Sequence, residues 1–341
     1  MRRNLAMGAA VTALFFLLLE GILRLSGLVP TQALRSPDGE TLASIPGLFE
    51  PGQDFVDRIR PELPYRIRIN SQGFRGRELA ARKQPGTTRI LCLGDSYTFG
   101  HHVEDGEAFP ARLQESLRSS GISAEVINAG ANGFTIVDEL DFLRGKGLAL
   151  QPDVVVLVFS QNDLRDLLRP QPMIEAMRDH AALKSKPVLG PLLMVLQRTA
   201  LFNGMQRGAA WLRVRRLRRE APVPLDEARL WRTYEAALGE VAALVKGAGG
   251  RLLVASWPSA EQAAAGASPP AAALAALCGR LGVAFVDLLP AMLAPGARGP
   301  LYLVPLDGHP SPEGHRAAAK ALASRLLEDV LLDAAAAASA P

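Results

Sequence analysis

An apolar run, Ile90-Leu91-Cys92-Leu93, breaks off into Gly94-Asp95-Ser96-Tyr97-Thr98-Phe99-Gly100, so that a small-polar turn presents one serine at the end of a strand-like segment. A serine hydroxyl becomes a useful nucleophile when a base takes its proton and nearby donors stabilise the oxyanion formed on the attacked acyl carbon. Those partners are expected downstream. Polar clusters do follow there, at Asn128-Ala129-Gly130-Ala131-Asn132-Gly133, at Gln161-Asn162-Asp163 and at Asp307-Gly308-His309-Pro310.

The elements that must position these residues are four further apolar runs, at Ala124–Ala129, Asp153–Phe159, Arg251–Ser256 and Val283–Leu288, separated by segments long enough for crossover helices. The pattern predicts an α/β fold, a three-layer α/β/α sandwich around a five-stranded parallel sheet of flavodoxin-like type. In such sheets ligands bind beyond the carboxyl ends of the strands. Each polar cluster lies past the end of a predicted strand.

In these blocks the chain resembles the SGNH (GDSL-type) hydrolases, over roughly residues 88–330. Gly94-Asp95-Ser96 resembles the first family block, Asn128 through Thr135 the second, Asn162-Asp163 the third and Asp307/His309 the last. The resemblance implies that Ser96 is the nucleophile, His309 the general base and then acid, and Asp307 the acid that orients the imidazole. It also implies an oxyanion hole made by the backbone N–H groups of Ser96 and Gly133 with the Asn162 side-chain amide. Asp307-Gly308-His309 is one residue shorter than the commonest family spacing, and Asp287, at the end of the fifth predicted strand, competes for the orienting role.

Other readings of the same residues stay open. Ser96 and Asn162 are also good helix caps, and Gly133 also suits a turn. Asp95 and Asp163 are expected to brace loops through backbone N–H groups. His101 and His102 are expected to be solvated, and His315 lies inside the helix that Ser311 and Pro312 begin. The chain has no Gly-x-Ser-x-Gly elbow, phosphate loop, His-Glu-x-x-His pair or Cys-x-x-Cys spacing, so the α/β-hydrolase fold is disfavoured and no metal or nucleotide cofactor is implied.

Its two cysteines, Cys92 and Cys278, read as buried apolar residues rather than a disulfide framework. A pI of about 9.3 comes with a net charge of only +4, which argues for a solvated basic face and against a nucleic-acid partner. Arg2-Arg3 precede the uncharged run Leu5–Leu19, which continues to Arg24. Residues 1–26 are therefore expected to be an uncleaved membrane anchor or a signal peptide, with the remainder outside the cytoplasm. The only cleavage candidate is the weak Thr31-Gln32-Ala33.

Residues 27–64, rich in proline and glycine, read as a linker, and 27–87 as linker plus an accessory edge strand at Tyr65–Asn70. The hydrolase domain is expected over 88–332, with a helical insertion at 164–249 and a flexible tail at 333–341. In the insertion, arginines at 207, 213, 215, 216, 218 and 219 surround Trp211, Leu212, Val214 and Leu217. Such a segment suits a membrane surface, an anionic polymer, a lid or simply a solvated face. Resemblance and location together imply an extracytoplasmic esterase acting on O-acyl, chiefly O-acetyl, esters of small molecules or envelope carbohydrate, in the periplasm if the source is a Gram-negative bacterium. An O-acyltransferase using the same site and a non-catalytic envelope scaffold are the alternatives.

Overall fold

The computed structural model describes residues 2–27, 29, 32–58, 60–217, 226–294 and 299–338. Among the described residues seven strands form two sheets: β1 (Asp54–Asp57) and β2 (Tyr65–Arg68) pair antiparallel, while β3 (Thr88–Leu93), β4 (Ala124–Asn128), β5 (Val154–Ser160), β6 (Arg251–Trp257) and β7 (Ala284–Asp287) form a parallel sheet. Every residue of β5 is buried, as expected for a strand covered on both faces.

Side chains alternate between two cores. Leu91, Leu93, Val155, Leu157 and Phe159 face one, where helices Ile136–Gly145, Glu227–Gly247 and Pro269–Leu281 pack. Ile90, Cys92, Val154, Val156 and Val158 face the other, covered by helices Phe109–Ser119 and Pro312–Ala338. This is the expected three-layer sandwich. Its strand order, β4-β3-β5-β6-β7, turns in opposite directions on either side of β3. The crevice between the carboxyl ends of β3 and β5 is therefore the natural ligand site of the topology.

The expected linker is a correction. Residues 27–64 hold helix Gly39–Ser44, capped by the Asp38 carboxylate, and strand β1. Leu42, Leu48, Phe49 and Phe55 from this stretch are buried in the first core. Proline and glycine marked the turns correctly, but the few apolar residues between them are enough to dock the segment. The alternation of Tyr65–Arg68 is real, with Tyr65 and Ile67 inward, yet its partner is β1 rather than the main sheet.

Within 164–249, helices Met173–Lys184, Leu189–Leu196 and Ala200–Leu217 precede helix Glu227–Gly247, the crossover into β6. The side chains of the arginines at 207, 213, 215, 216, 218 and 219, on which the expected surface role rests, lie outside what is described. The tail differs from expectation: its alanines continue the last helix to Ala338, in keeping with alanine's helix propensity. Cys92 and Cys278 are both free and buried.

His315 packs in the second layer, with Nδ1 accepting from the Phe109 N–H at 3.2 Å and its ring edge-on to Trp257. Complete burial pushes its imidazole down to about 3, whereas an unfolded histidine binds a proton near ~6.5. Between those values the unfolded chain holds the extra proton, so stability falls as pH decreases, by at most about 1.4 kcal/mol per pH unit from this group. Denaturant midpoints should drop between pH 7 and pH 5, and less steeply in His315→Gln, which keeps an acceptor for Phe109.

Candidate active site

The chain leaves β3 through Gly94, whose φ is +150°, and a Cβ there would lie 2.2 Å from the Thr98 hydroxyl oxygen. Only glycine fits this turn. Ser96 then opens the short helix Ser96–Phe99, capped by Asp95, whose Oδ1 accepts from the Tyr97 N–H at 2.8 Å. The segment after β4 runs along this turn: Ala129 N donates to Cys92 O, Ala131 N to Gly94 O, and Asn128 Nδ2 to Phe99 O. A Cβ on Gly130 would lie 2.3 Å from the Phe99 nitrogen, so this approach also requires glycine. It brings Gly133 beside Ser96 in one cleft.

His309 Nε2 lies 2.9 Å from Ser96 Oγ. On the other side of the ring, Nδ1 bonds Asp307 Oδ1, and the same oxygen accepts the His309 backbone N–H at 3.0 Å. The short Asp-x-His spacing is thus closed as an Asx-type turn, one carboxylate oxygen holding both the backbone and the ring of the histidine. Tyr97 Oη donates to Gly308 O at 3.2 Å and steadies that loop. Asp287 does not compete, because its carboxylate accepts from the Leu289 N–H at the start of the next helix and takes no part in lining the cleft.

The second Asp307 oxygen faces two residues that sequence reasoning did not single out as partners. Arg60 Nε is 3.0 Å from Oδ2, and His102 Nε2 is 3.5 Å away. Burial works to raise the Asp307 pKa, but the hydrogen bonds and charge of His309, with the charge of His102, outweigh it and hold the carboxyl down to about 2. Nothing at the level of spacing links Arg60 to a residue 247 positions later. The link appears only because β1 and β2 dock the N-terminal segment against the nucleophile loop. There the buried Arg75 donates to Phe99 O at 2.8 Å, to Val103 O at 2.6 Å and to Asp105 at 2.8 Å.

The same docking corrects the expectation for the paired histidines. His102 is buried, with φ at +65°, and stacks edge-on to Tyr65. His101 Nδ1 lies 2.9 Å from Tyr65 Oη and 3.3 Å from Asn132 Nδ2. Burial, then the adjoining imidazoles, push His101 down to about 3. His102, Asp307 and His309 also present ligand atoms within 4.8 Å of one another, a spacing a cation could bridge, but those of Asp307 and His309 are engaged in the hydrogen bonds just described.

Asn162 follows β5. Its Nδ2 donates to Asp95 Oδ2 at 3.1 Å and to Asp166 Oδ2 at 3.0 Å. Ser160 Oγ lies within 3.0 Å of Asp95, Asn162 and Asp163. Asp95 and Asp163 each accept a backbone N–H, from Tyr97 and Ser160 respectively. They also belong to a buried polar network beneath the cleft, in which burial and then the Asp95 charge push Asp163 well above the usual carboxylate range. By contrast, the backbone N–H groups of Ser96 and Gly133 have no acceptor among the described residues. Arg169 pairs with Asp166 at 2.6 Å and donates to Gly133 O, fixing that peptide.

A cleft of about 730 Å³ opens over Ser96 and His309, and most of the residues lining it are of polar type, including Gln161, Asn162, Arg165, Arg169 and Glu261. Arg60→Ala should lower kcat for a small ester by up to about tenfold, or 1.4 kcal/mol, with KM nearly unchanged and partial recovery in Arg60→Lys. Initial-rate kinetics on an aryl acetate measure this directly. The size is modest because the ion pair is half exposed.

Serine, histidine and aspartate side chains joined by hydrogen bonds at the switch point of a flavodoxin-like sheet are an arrangement suited to ester hydrolysis. The chain belongs to the GDSL-like Lipase/Acylhydrolase family, whose sequence profile matches residues 92–317. Among solved structures it is similar to a catalytic mutant of Axe2, an acetylxylan esterase from Geobacillus stearothermophilus, at 17% identity and a TM-score of 0.41, covering 69% of this chain and 92% of that one. It is also similar to a GDSL-like lipase from Bacteroides thetaiotaomicron, at 14% identity and a TM-score of 0.39, covering 73% and 93%. A third, TesA, shares 18% identity with a TM-score of 0.40, covering 72% and 96%. No curated protein sequence matches the chain.

Proposed function

We propose that this protein is an extracytoplasmic, membrane-anchored esterase that removes O-acyl groups, chiefly acetyl, from envelope carbohydrate through an acyl-Ser96 intermediate. The observation that carries the chemistry is the continuous chain Ser96 Oγ, His309 imidazole, Asp307 carboxylate at the cleft floor. His309 Nε2 takes the Ser96 proton as Oγ attacks the acyl carbon, and the charge that forms on the acyl oxygen is met by the free N–H groups of Ser96 and Gly133. The Asn162 amide, both of whose hydrogens go to Asp95 and Asp166, becomes a third donor by giving up one of these bonds to the oxyanion. The C–O bond to the leaving alcohol then breaks, with His309 returning the proton. Water, deprotonated by the same imidazole, releases the acid and restores Ser96.

The polar side chains lining the cleft support a polar alcohol moiety such as a sugar. The helix Arg2–Ser26 supports the location, since residues 3–26 are long and apolar enough to cross a bilayer, with a mean hydropathy of 2.1. Hydrolysis and acyl transfer share the first half-reaction, so the discriminating experiment supplies an aryl acetate with envelope polysaccharide and follows free acetate and acetylated glycan by mass spectrometry. Free acetate should dominate. Predominant acetylation of the glycan, abolished by Ser96→Ala, would assign the protein to the acyltransferases.

A further inference from the structure

Helix Leu189–Leu196 reads Leu-Gly-Pro-Leu-Leu-Met-Val-Leu and carries no charged or hydrogen-bonding side chain. It nevertheless turns much of its apolar surface outward: Leu192 is 52% exposed, Val195 63%, and Val188, just before it, 84%. A soluble surface rarely tolerates such a ridge unless something covers it.

Its position says what covers it. The N-terminal helix is bolted to the start of helix Ala200–Leu217 through Glu20, whose two carboxylate oxygens accept the Ala200 and Leu201 N–H groups at 2.8 and 2.9 Å. Arg24 pairs with Glu20 at 2.6 Å and donates to Arg198 O at 2.7 Å. The acid in the apolar helix thereby satisfies backbone donors that a helix start leaves free. Glu20 stands six residues before the helix ends at Ser26, about 9 Å of rise at 1.5 Å per residue. With Arg3 at the inner boundary, Glu20 lies about 26 Å along the helix, within one turn of the outer boundary of a ~30 Å hydrocarbon core. Residues 197–199 are all that separate helix Leu189–Leu196 from Ala200. The exposed apolar ridge is therefore held at the depth where the anchor leaves the membrane, with the exposed Lys186 and Arg198 flanking it as interfacial cations do.

We propose that helix Leu189–Leu196 lies in the outer interface of the bilayer crossed by the N-terminal helix, giving the enzyme a second lipid attachment that fixes its orientation. This rests on the anchor reading. The orientation would reach the site through helix Met173–Lys184, which packs against helix Leu189–Leu196 and begins with Met173, beside Gly133.

The test uses the full chain in nanodiscs of phosphatidylethanolamine and phosphatidylglycerol. Leu192→Cys and Val195→Cys are labelled with an environment-sensitive fluorophore, the native Cys92 and Cys278 being buried and shielded from label. Phe15→Cys reports the anchor, and Glu115→Cys, an exposed position on the opposite face of the sheet, reports the body. The labels at 192 and 195 should show blue-shifted emission that spin-labelled lipids quench, more strongly with the spin label near the headgroup than deep in the chain. Position 15 should be quenched by the deep label and position 115 by neither. Quenching at 15 without quenching at 192 and 195 would overturn the proposal while leaving the anchor standing. A blue shift at 192 and 195 that no lipid quenches would overturn it in favour of a protein partner, a second copy included. Absence of quenching at 15 would refute the anchor and the proposal together.

Discussion

Ser96→Ala is expected to reduce ester hydrolysis to background, a fall on the order of 10⁶-fold by comparison with other serine hydrolases stripped of their nucleophile. The size follows from the geometry. His309 Nε2 faces the Ser96 hydroxyl at 2.9 Å, so the base has nothing to deprotonate once the hydroxyl is gone, and no covalent path remains. The free N–H groups of Ser96 and Gly133 would still polarise a bound carbonyl, which sets the residual rate. Deleting one oxygen from a partly buried side chain leaves no large cavity, so the thermal midpoint should stay close to that of the wild type. Hydrolysis of an aryl acetate checks both points, and a variant retaining more than a small fraction of the rate would move the nucleophile elsewhere.

Asp307→Asn should cost on the order of 10⁴-fold in turnover, because an amide cannot stabilise the imidazolium and can turn its N–H₂ toward Nδ1, favouring the wrong tautomer. Asp287→Asn should leave turnover near the wild-type value, since its carboxylate only caps the helix after β7. The contrast decides between the two acids that the shortened Asp-x-His spacing left in competition. Held down to about 2, Asp307 stays ionised across any ordinary assay range. An acid limb within that range therefore does not come from Asp307, and it should keep its position in Asp287→Asn. Losses within about tenfold in both variants would show that neither carboxylate is needed to hold His309.

What could be read from the chain alone was whatever depends on local pattern. The parallel strands are short β-branched runs, the turn at Gly94-Asp95-Ser96 is built from residues of special backbone freedom, and the polar clusters sit at strand ends. Each of these is a nearest-neighbour property. Arg60, Arg75 and Tyr65 were illegible because their work is done across the fold: Arg75 reaches four loop carbonyl or carboxylate groups 24 to 30 residues away, and Arg60 reaches Asp307. A proline- and glycine-rich composition hid the ordered segment 27–64 that carries Arg60. His102 was misjudged for the same reason, since a histidine in a loop is solvated unless something covers it, and Tyr65 does. The role expected of Asn162 places it in the cleft, but its clamp by Asp95 and Asp166 needed coordinates, because only the sheet order sets β5 beside β3.

The central claim is that one hydroxyl carries the acyl group, and covalent trapping tests it most directly. The full-length protein is treated with a fluorophosphonate, digested and mapped by mass spectrometry, with Ser96→Ala and His309→Gln alongside. A single adduct on the peptide containing Ser96, lost in Ser96→Ala and formed far more slowly in His309→Gln, is the result this site predicts. Labelling that persists undiminished in Ser96→Ala, or an adduct on another residue, would contradict it.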